Sequence, residues 1–267
     1  MPRLIALRRY PLKSALGESL QAVDVDRSGL AGDRIWACVD ETDGMVGSAK
    51  HPRRWGRLLD VRTSLREDEL TVHVGGASLR AGSAVADEAL SSHLGRPVRL
   101  SRTAPDDPRV HRVLPDDAGM VPEWMAGSLP GEETVSAVGG VERLGRFADF
   151  GAVHIVTTGA LSRLGELSGA EVPATRFRPN LVLDLPHDPE PGEELRLGDV
   201  VLRVDLPTPR CVIPGLSHGD LPADKAVLST LARHYRVQVP DLGRAACFGT
   251  YADVVRPGRL ETGQAVR

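Results

Sequence analysis

The chain has 267 residues, of which 41% are hydrophobic and 26% are charged, a composition typical of a soluble protein with one large or two small domains. A formal net charge of -3 argues against a protein that binds by neutralising phosphate backbones, so we expect no nucleic-acid partner. With no signal peptide, no membrane-spanning apolar run and three widely spaced cysteines, we expect no membrane partner and a cytoplasmic location.

Short strands joined by tight turns dominate the first hundred residues. The Asp43-Gly44 pair is typical of a hairpin, and apolar residues at helical spacing with a terminal Gly95 predict a helix over Ala84–Leu94. The patterns predict strands over residues 3–9, 20–26, 35–39, 45–49, 58–64, 70–74 and 98–100.

Residues 104–133 have no clear period and contain five prolines among acidic residues. So long a stretch without pattern is usually a linker, a lid or a partly disordered segment. We place the domain boundary there, with one domain over residues 1–118, including this connection, and a second over residues 119–267.

The second half mixes strands with two helices. One helix should begin at Thr157-Thr158 and end at Gly169, and the other should run over Pro222–Tyr235. Strands are predicted over 153–156, 180–185 and 195–206, followed by a final hairpin of 248–255 with 259–266. Many short strands with few helices predict a mainly β, barrel-like fold.

One stretch points to chemistry. The strand that ends at Leu206 runs into Pro207 and Pro209, which hold the chain extended before Arg210 and Cys211. A thiolate is a soft metal ligand and a nucleophile, and the neighbouring guanidinium favours its ionised form. The alternative is that Cys211 is a small core hydrophobe, as we expect for Cys38.

Five motifs together resemble the MOSC family, the molybdenum cofactor sulfurase C-terminal domain proteins, including their N-terminal β domain. The motifs span nearly the whole chain: Tyr10-Pro11-Leu12-Lys13-Ser14, Gly29-Leu30-Ala31-Gly32-Asp33-Arg34, Ala174-Thr175-Arg176-Phe177-Arg178-Pro179-Asn180, Pro209-Arg210-Cys211 and Phe248-Gly249-Thr250-Tyr251. The chain is most similar to the amidoxime-reducing component type, which holds molybdenum through a molybdopterin dithiolene and a protein cysteine. This resemblance implies an N-terminal β domain packed on a MOSC β-barrel, with Cys211 as the molybdenum ligand.

The resemblance also implies the cofactor-binding residues. Lys13 and Ser14 match the family's phosphate-contacting turn, Arg34 its cofactor-binding arginine, and Arg178 and Asn180 the polar pair that faces the pterin. Cations suit a phosphate, and an amide with both a donor and an acceptor suits a pterin. Since Lys13 lies in a turn, we expect it to have little packing to lose.

Three more residues are candidates for the site. Arg210 adjoins the metal ligand, and Thr157 and Thr158 lie at a strand-to-helix junction, where they serve either as N-caps or as part of an anion site.

The segment after Cys211 departs from the family. Val212-Ile213-Pro214 replaces the Val-Asp-Pro of the most similar members, which changes the substrate mouth. His218, in a glycine-rich loop, would either protonate a leaving oxygen as a catalytic residue or simply face solvent.

The leading hypothesis is a molybdenum-dependent reductase of N-hydroxylated compounds, such as amidoximes and hydroxylamines. Only Cys247 follows Cys211, which is too few cysteines for an appended iron–sulfur domain, so electrons come from a separate protein: a ferredoxin, a flavodoxin or a cytochrome b5-like protein with its reductase. The alternatives are a sulfur carrier with a persulfide on Cys211, a non-catalytic cofactor carrier and, last, a Cys/His hydrolase.

Overall fold

The computed structural model describes residues 1–267, which form eighteen short strands, five α-helices and connecting turns. The strands of the first half are β1 (Leu4–Arg9), β2 (Glu18–Leu20), β3 (Ala22–Asp26), β4 (Gly29–Leu30), β5 (Ala37–Asp40), β6 (Arg62–Arg66), β7 (Glu69–Val74), β8 (Ala77–Arg80) and β9 (Val98–Ser101). Those of the second half are β10 (Arg109–Val113), β11 (Glu133–Ala137), β12 (Val153–Thr157), β13 (Leu181–Leu183), β14 (Glu194–Leu197), β15 (Val200–Pro209), β16 (Arg236–Val239), β17 (Gly243–Arg256) and β18 (Gly258–Glu261). The helices are α1 (Pro52–Trp55), α2 (Ala84–Leu94), α3 (Gly139–Leu144), α4 (Thr158–Ser168) and α5 (Lys225–His234). None of them is long and apolar enough to cross a membrane.

The largest sheet has the order β14-β15-β17-β12-β13-β1-β2, with β16 paired to the far end of β17. Its two long strands, β15 and β17, are antiparallel, and their register ends at the pair Pro209 and Cys247. The carboxyl end of β15 is therefore held by a backbone ladder up to the residues that precede Cys211.

Strands from the start and the end of the chain share one small sheet. β18 pairs antiparallel with β3, which pairs in turn with β4. The prediction of a final hairpin with 248–255 was therefore wrong. Pro257 separates β17 from β18, and β18 pairs with β3 instead of β17.

Two large apolar cores organise the molecule. The first contains 19 buried residues and combines residues 4–30 with residues 152–266. The second contains 14 buried residues between Leu12 and Leu100, including Trp55 and Cys38. The first strands of the chain thus pack with the second half, while the predicted boundary near residue 118 stays a prediction.

The mainly β prediction is confirmed, and so are the three helices predicted from local signals. Ser83 accepts a hydrogen bond from Ala86 N at the start of α2, and Gly95 ends that helix in the left-handed region at φ 69°. Helix α5 begins at Lys225 rather than near Pro222, because the Asp224 side chain caps it by accepting from Ala226 N.

The segment 104–133 is not structureless. Its residues Arg109–Val113 form β10, which pairs over five residues with β11. The strand was missed because its sequence, Arg-Val-His-Arg-Val, has neither an apolar run nor a strict alternation of apolar and polar residues.

Candidate functional site

A cavity of about 360 Å³ opens where the first half of the chain meets the ends of β15 and β17. We call it the main cavity. Its lining includes Lys13, Ser14 and Arg34 from the first half, and Arg178, Arg210 and Cys211 from the second. Its volume lies in the range of small-molecule sites in proteins.

Positive charge dominates the main cavity. One carboxylate, Asp149, lies among seven cationic residues, which are Lys13, Arg34, Lys50, Arg112, Arg176, Arg178 and Arg210. Buried charges in proteins are normally paired or bound to a ligand. The excess of cations therefore favours an anionic ligand.

Lys13 and Lys50 converge on Asp149. The ammonium group of Lys13 donates to Asp149 Oδ1 over 2.6 Å and to the carbonyl of Phe147 over 2.9 Å, and Lys50 Nζ lies 3.0 Å from the same Oδ1. Burial on its own would raise the pKa of Asp149, but the two ammonium groups hold that pKa well below its usual range. Lys13 itself is buried, with 4% of its surface exposed, so the expectation that it had little packing to lose was wrong.

Tyr10 supports two arginines of the site. The guanidinium carbons of Arg178 and Arg34 lie 4.4 Å and 5.0 Å from its ring centroid, within cation–π range. Burial lowers the pKa of Arg178 to about 10, so this guanidinium stays charged at neutral pH.

Three residues of the lining have unusual backbones. Ser14, Arg34 and Arg178 have φ angles of 63°, 51° and 56°, and they are three of the six non-glycine residues with positive φ in the chain. Such conformations cost free energy and cluster at functional sites. Here they turn one hydroxyl and two guanidinium groups towards the same cavity.

Cys211 is the one partly exposed cysteine, two residues after the end of β15. The neighbouring Arg210 donates from Nε to the carbonyl of Phe248 over 3.0 Å and from Nη2 to His154 Nε2 over 2.8 Å. Cys38 and Cys247 are buried, and burial raises the pKa of each thiol to about 12. Cys211 is therefore the cysteine available to a ligand.

Four predicted site residues lie outside the lining of the main cavity. Asn180 is buried behind it, where its Oδ1 accepts from His154 N at 3.1 Å and from Arg34 Nη1 at 3.3 Å. Its contribution is to hold Arg34 and β12 rather than to face the cavity.

The two threonines and His218 are elsewhere. Thr157 caps α4, accepting from Ala160 N, and its hydroxyl donates to Asp188 over 2.9 Å, while that of Thr158 donates to Asp184 over 3.2 Å. His218 was expected to face solvent if not catalytic, but it is 4% exposed and lines a separate, smaller cavity.

The lining residues that sequence reasoning did not assign to the site include Lys50, Asp149, His154 and Tyr251. Lys50 had a signal, since it is one of three lysines in a chain whose other basic residues are arginines. His154 also had one, as a polar residue inside the apolar run of β12.

The structure contains no cluster of three or more His, Cys, Asp or Glu side chains able to hold a metal ion.

Comparisons with known proteins agree with these observations. Residues 1–106 match the family model of the MOSC N-terminal beta barrel domain, and residues 143–267 match that of the MOSC domain. The chain is 26% identical over 254 residues to a molybdenum cofactor sulfurase from Drosophila mojavensis, a match that covers 87% of the chain and only 30% of the relative. It is 24% identical over 291 residues to mitochondrial amidoxime-reducing component 1 from Mus musculus, covering 96% of the chain and 79% of that protein.

Among solved structures, the YUAD protein from Bacillus subtilis aligns over 100% of this chain and 94% of its own, with 12% identity and a TM-score of 0.46. The two family models together cover most of the chain and meet at the main cavity, since Lys13 and Arg34 lie in the first matched range and Cys211 in the second. The chain is therefore a MOSC-domain protein, in which the MOSC N-terminal beta barrel domain precedes the MOSC domain.

Proposed function

We propose that this protein is a molybdenum cofactor-binding reductase of N-hydroxylated compounds such as amidoximes and hydroxylamines. The observation that carries the proposal is that one partly exposed cysteine, Cys211, shares a cavity with a set of cations suited to a phosphate. The similarity to an amidoxime-reducing component over 96% of the chain supports the choice of substrate class.

The residues of the main cavity fit such a cofactor. Cys211 would supply a thiolate ligand to the metal, and Lys13, Ser14 and Arg34 would bind the phosphate. Arg178 has one protein acceptor, the carbonyl of Ala15 at 2.6 Å, which leaves further N–H donors for the cofactor.

When bound, the cofactor would supply the two-electron redox chemistry, and the net reaction converts R–NHOH, two electrons and two protons into R–NH₂ and water. The chain's own residues would bind and orient the substrate. Burial raises the pKa of Tyr251 to about 12, so its phenol keeps its proton and can donate a hydrogen bond in the cavity. Burial and the charges of Arg210 and Arg34 hold the pKa of His154 well below its usual range, so this histidine is neutral and does not act as the acid.

Electrons would reach the site from a separate redox protein of ferredoxin, flavodoxin or cytochrome b5 type, in the cytoplasm. The support for a separate electron donor is that the chain's other two cysteines are buried core thiols.

A second candidate function is sulfur transfer, with a persulfide carried on Cys211. Its support is the partial exposure of this thiol beside Arg210, together with the similarity to a protein named molybdenum cofactor sulfurase.

One experiment separates the two functions. The protein is produced in a molybdenum-replete host, and metal content, pterin fluorescence, cyanide-releasable sulfur and reduction of benzamidoxime with reduced methyl viologen are measured. The reductase proposal expects stoichiometric molybdenum, and activity that Cys211→Ala abolishes and Cys247→Ala retains. Metal-free protein that carries releasable sulfur on Cys211 would establish the carrier function instead, and full activity of Cys211→Ala would refute the ligand assignment.

A further inference from the structure

A second cavity of about 190 Å³ shares Arg178 with the main cavity. We call it the small cavity. Its other polar walls are Arg8 and Tyr10, from β1 and the residue after it, and His218 from the loop beyond Cys211, with Arg62 and Asp220 at its exposed rim. Neither the resemblance nor the proposed reductase function assigns it a role.

Three buried polar atoms of this lining have no hydrogen-bond partner. They are Tyr10 Oη, His218 Nε2 and Arg8 Nε. Tyr10 and His218 are 3% and 4% exposed, so neither side chain is solvated from outside. Because an unpartnered buried polar group costs free energy, three of them at one cavity indicate a ligand that supplies the missing partners.

The hydrogen-bonding character of each atom is fixed by its surroundings. His218 Nδ1 lies 2.9 Å from the carbonyl of Leu216 and must carry a proton to donate to it. Burial, helped by the charge of Arg178, lowers the pKa of His218 to about 4, so at neutral pH its Nε2 is an acceptor. Burial raises the pKa of Tyr10, whose hydroxyl therefore remains a donor.

The charge of the small cavity is positive. Of its three arginines only Arg62 has an ion-pair partner, Asp220, at 2.9 Å on the rim. Neither Arg8 nor Arg178 forms an ion pair with a carboxylate. A ligand here has to accept hydrogen bonds from two guanidinium groups and a phenol and donate one to His218.

The loop that carries His218 is held in place without a ligand. His218 N donates to the carbonyl of Leu221 and Leu221 N to that of His218, each over 3.0 Å, while Gly219 N donates to the carbonyl of Leu59 over 3.0 Å. The position of the loop that carries the His218 acceptor is thus preformed.

We propose that the small cavity binds a small oxyanion that retains a hydroxyl group, such as hydrogen phosphate or bicarbonate. The anionic oxygens accept from Arg8, Arg178 and Tyr10, and the hydroxyl group donates to His218 Nε2. Because Arg178 lines both cavities, an anion in the small one also fixes a guanidinium group of the main one.

The test compares anions on the full-length protein at pH 7.5 and constant ionic strength. The melting temperature is measured first, and binding is then measured by isothermal titration calorimetry, each with potassium phosphate, bicarbonate, sulfate and chloride. We expect saturable binding of phosphate or bicarbonate, and the anion that binds more tightly identifies the ligand. Sulfate, which has no hydroxyl group at this pH, should bind at least tenfold more weakly. Equal binding of sulfate, or no saturable binding of either hydroxylated anion, would overturn the proposal.

Matched variants locate the site. His218→Phe removes the acceptor and Tyr10→Phe removes the hydroxyl while keeping the ring, and we expect each to weaken binding at least tenfold. Tyr235→Phe removes another buried, unpartnered hydroxyl, remote from this cavity, and should leave binding unchanged. The assignment would be refuted if Lys13→Ala abolished anion binding while His218→Phe and Tyr10→Phe retained it. The anion would then bind in the main cavity.

Discussion

Arg210 donates a hydrogen bond from Nη2 to His154 Nε2 over 2.8 Å, which fixes the tautomer of the histidine. Because a guanidinium only donates, Nε2 must be unprotonated, and Nδ1 carries the proton towards the carbonyl of Arg178, 3.4 Å away. A neutral histidine thus connects the residue beside Cys211 to the backbone of Arg178. Sequence reasoning assigned no role to this residue.

We predict that His154→Leu disturbs the site by leaving a buried Arg210 donor without its acceptor. The free energy of unfolding should fall by about 1–3 kcal/mol, the usual cost of an unsatisfied buried group. Turnover per bound molybdenum should fall about tenfold, while His154→Gln, whose amide oxygen can accept, should recover most of it. Full turnover per molybdenum in His154→Leu would show that the contact is purely structural.

Lys13→Ala should weaken both cofactor retention and the fold. A charge-assisted hydrogen bond to a phosphate is worth about 1.5–3 kcal/mol, so cofactor affinity should fall roughly 10- to 100-fold. The buried contacts of Lys13 with Asp149 and Phe147 are also lost, so the melting temperature should fall as well. Molybdenum and pterin occupancy after gel filtration is compared with exposed Lys225→Ala. Equal occupancy in the two variants would remove Lys13 from the site.

Two buried histidines should make the fold sensitive to acid. His154 and His218 take up protons below about pH 6.5 when unfolded, whereas in the fold the pKa of His154 is well below that value and that of His218 is about 4. The unfolded state therefore binds more protons between pH 6.5 and 4, so this stabilisation is complete above pH 6.5 and is lost as the pH falls towards 4.

The measurement is the free energy of unfolding in urea from pH 7.5 to 4.5. His218→Phe should reduce the slope against pH by up to about 1.4 kcal/mol per pH unit, the value for one proton, whereas a substitution of exposed His187 should not. An unchanged slope in His218→Phe would contradict the neutral buried state of this histidine.

Gly249→Ala should be destabilising through a clash as well as through backbone strain. Gly249 has φ +73°, and a Cβ there would lie 2.5 Å from the carbonyl oxygen of Ile155 and 2.7 Å from His154 Nε2. Gly75, with φ +59° and no atom within 4 Å, provides the control, since Gly75→Ala meets only the strain of about 1–2 kcal/mol. Chemical denaturation should show a larger decrease in the free energy of unfolding for Gly249→Ala than for Gly75→Ala. Equal decreases would mean that β12 moves to accommodate the new methyl group without loss of stability.

The parts of the structure that could be predicted from sequence depend on local chemistry. Gly95 and Gly169 end α2 and α4 because glycine tolerates the left-handed conformation, and the side chain before each helix supplies its cap. The pairing of β18 with β3 depends on contacts between residues more than 230 positions apart, for which no local pattern exists. Periodicity therefore predicted many of the strands, but it missed β10 and the true partner of β18.

The residues of the candidate site likewise fall into those that could be predicted from sequence and those that could not. The motifs that carry Lys13, Ser14, Arg34, Arg178, Arg210 and Cys211 led to one cavity, although only the family resemblance joined them in advance. Asn180 lies one layer behind, because its backbone continues into β13 and turns its amide towards Arg34. The burial of Lys13 could not be predicted, since Phe147 and Asp149 reach it from 134 and 136 residues away.

The pairing of β18 with β3 also has a consequence for biosynthesis. During translation β3 is made early, but its edge partner at Gly258–Glu261 is made more than 230 residues later. Lys13 likewise cannot form its hydrogen bonds with Phe147 and Asp149 until those two residues have been synthesised. The nascent N-terminal half must therefore remain unfinished until these later residues have been made.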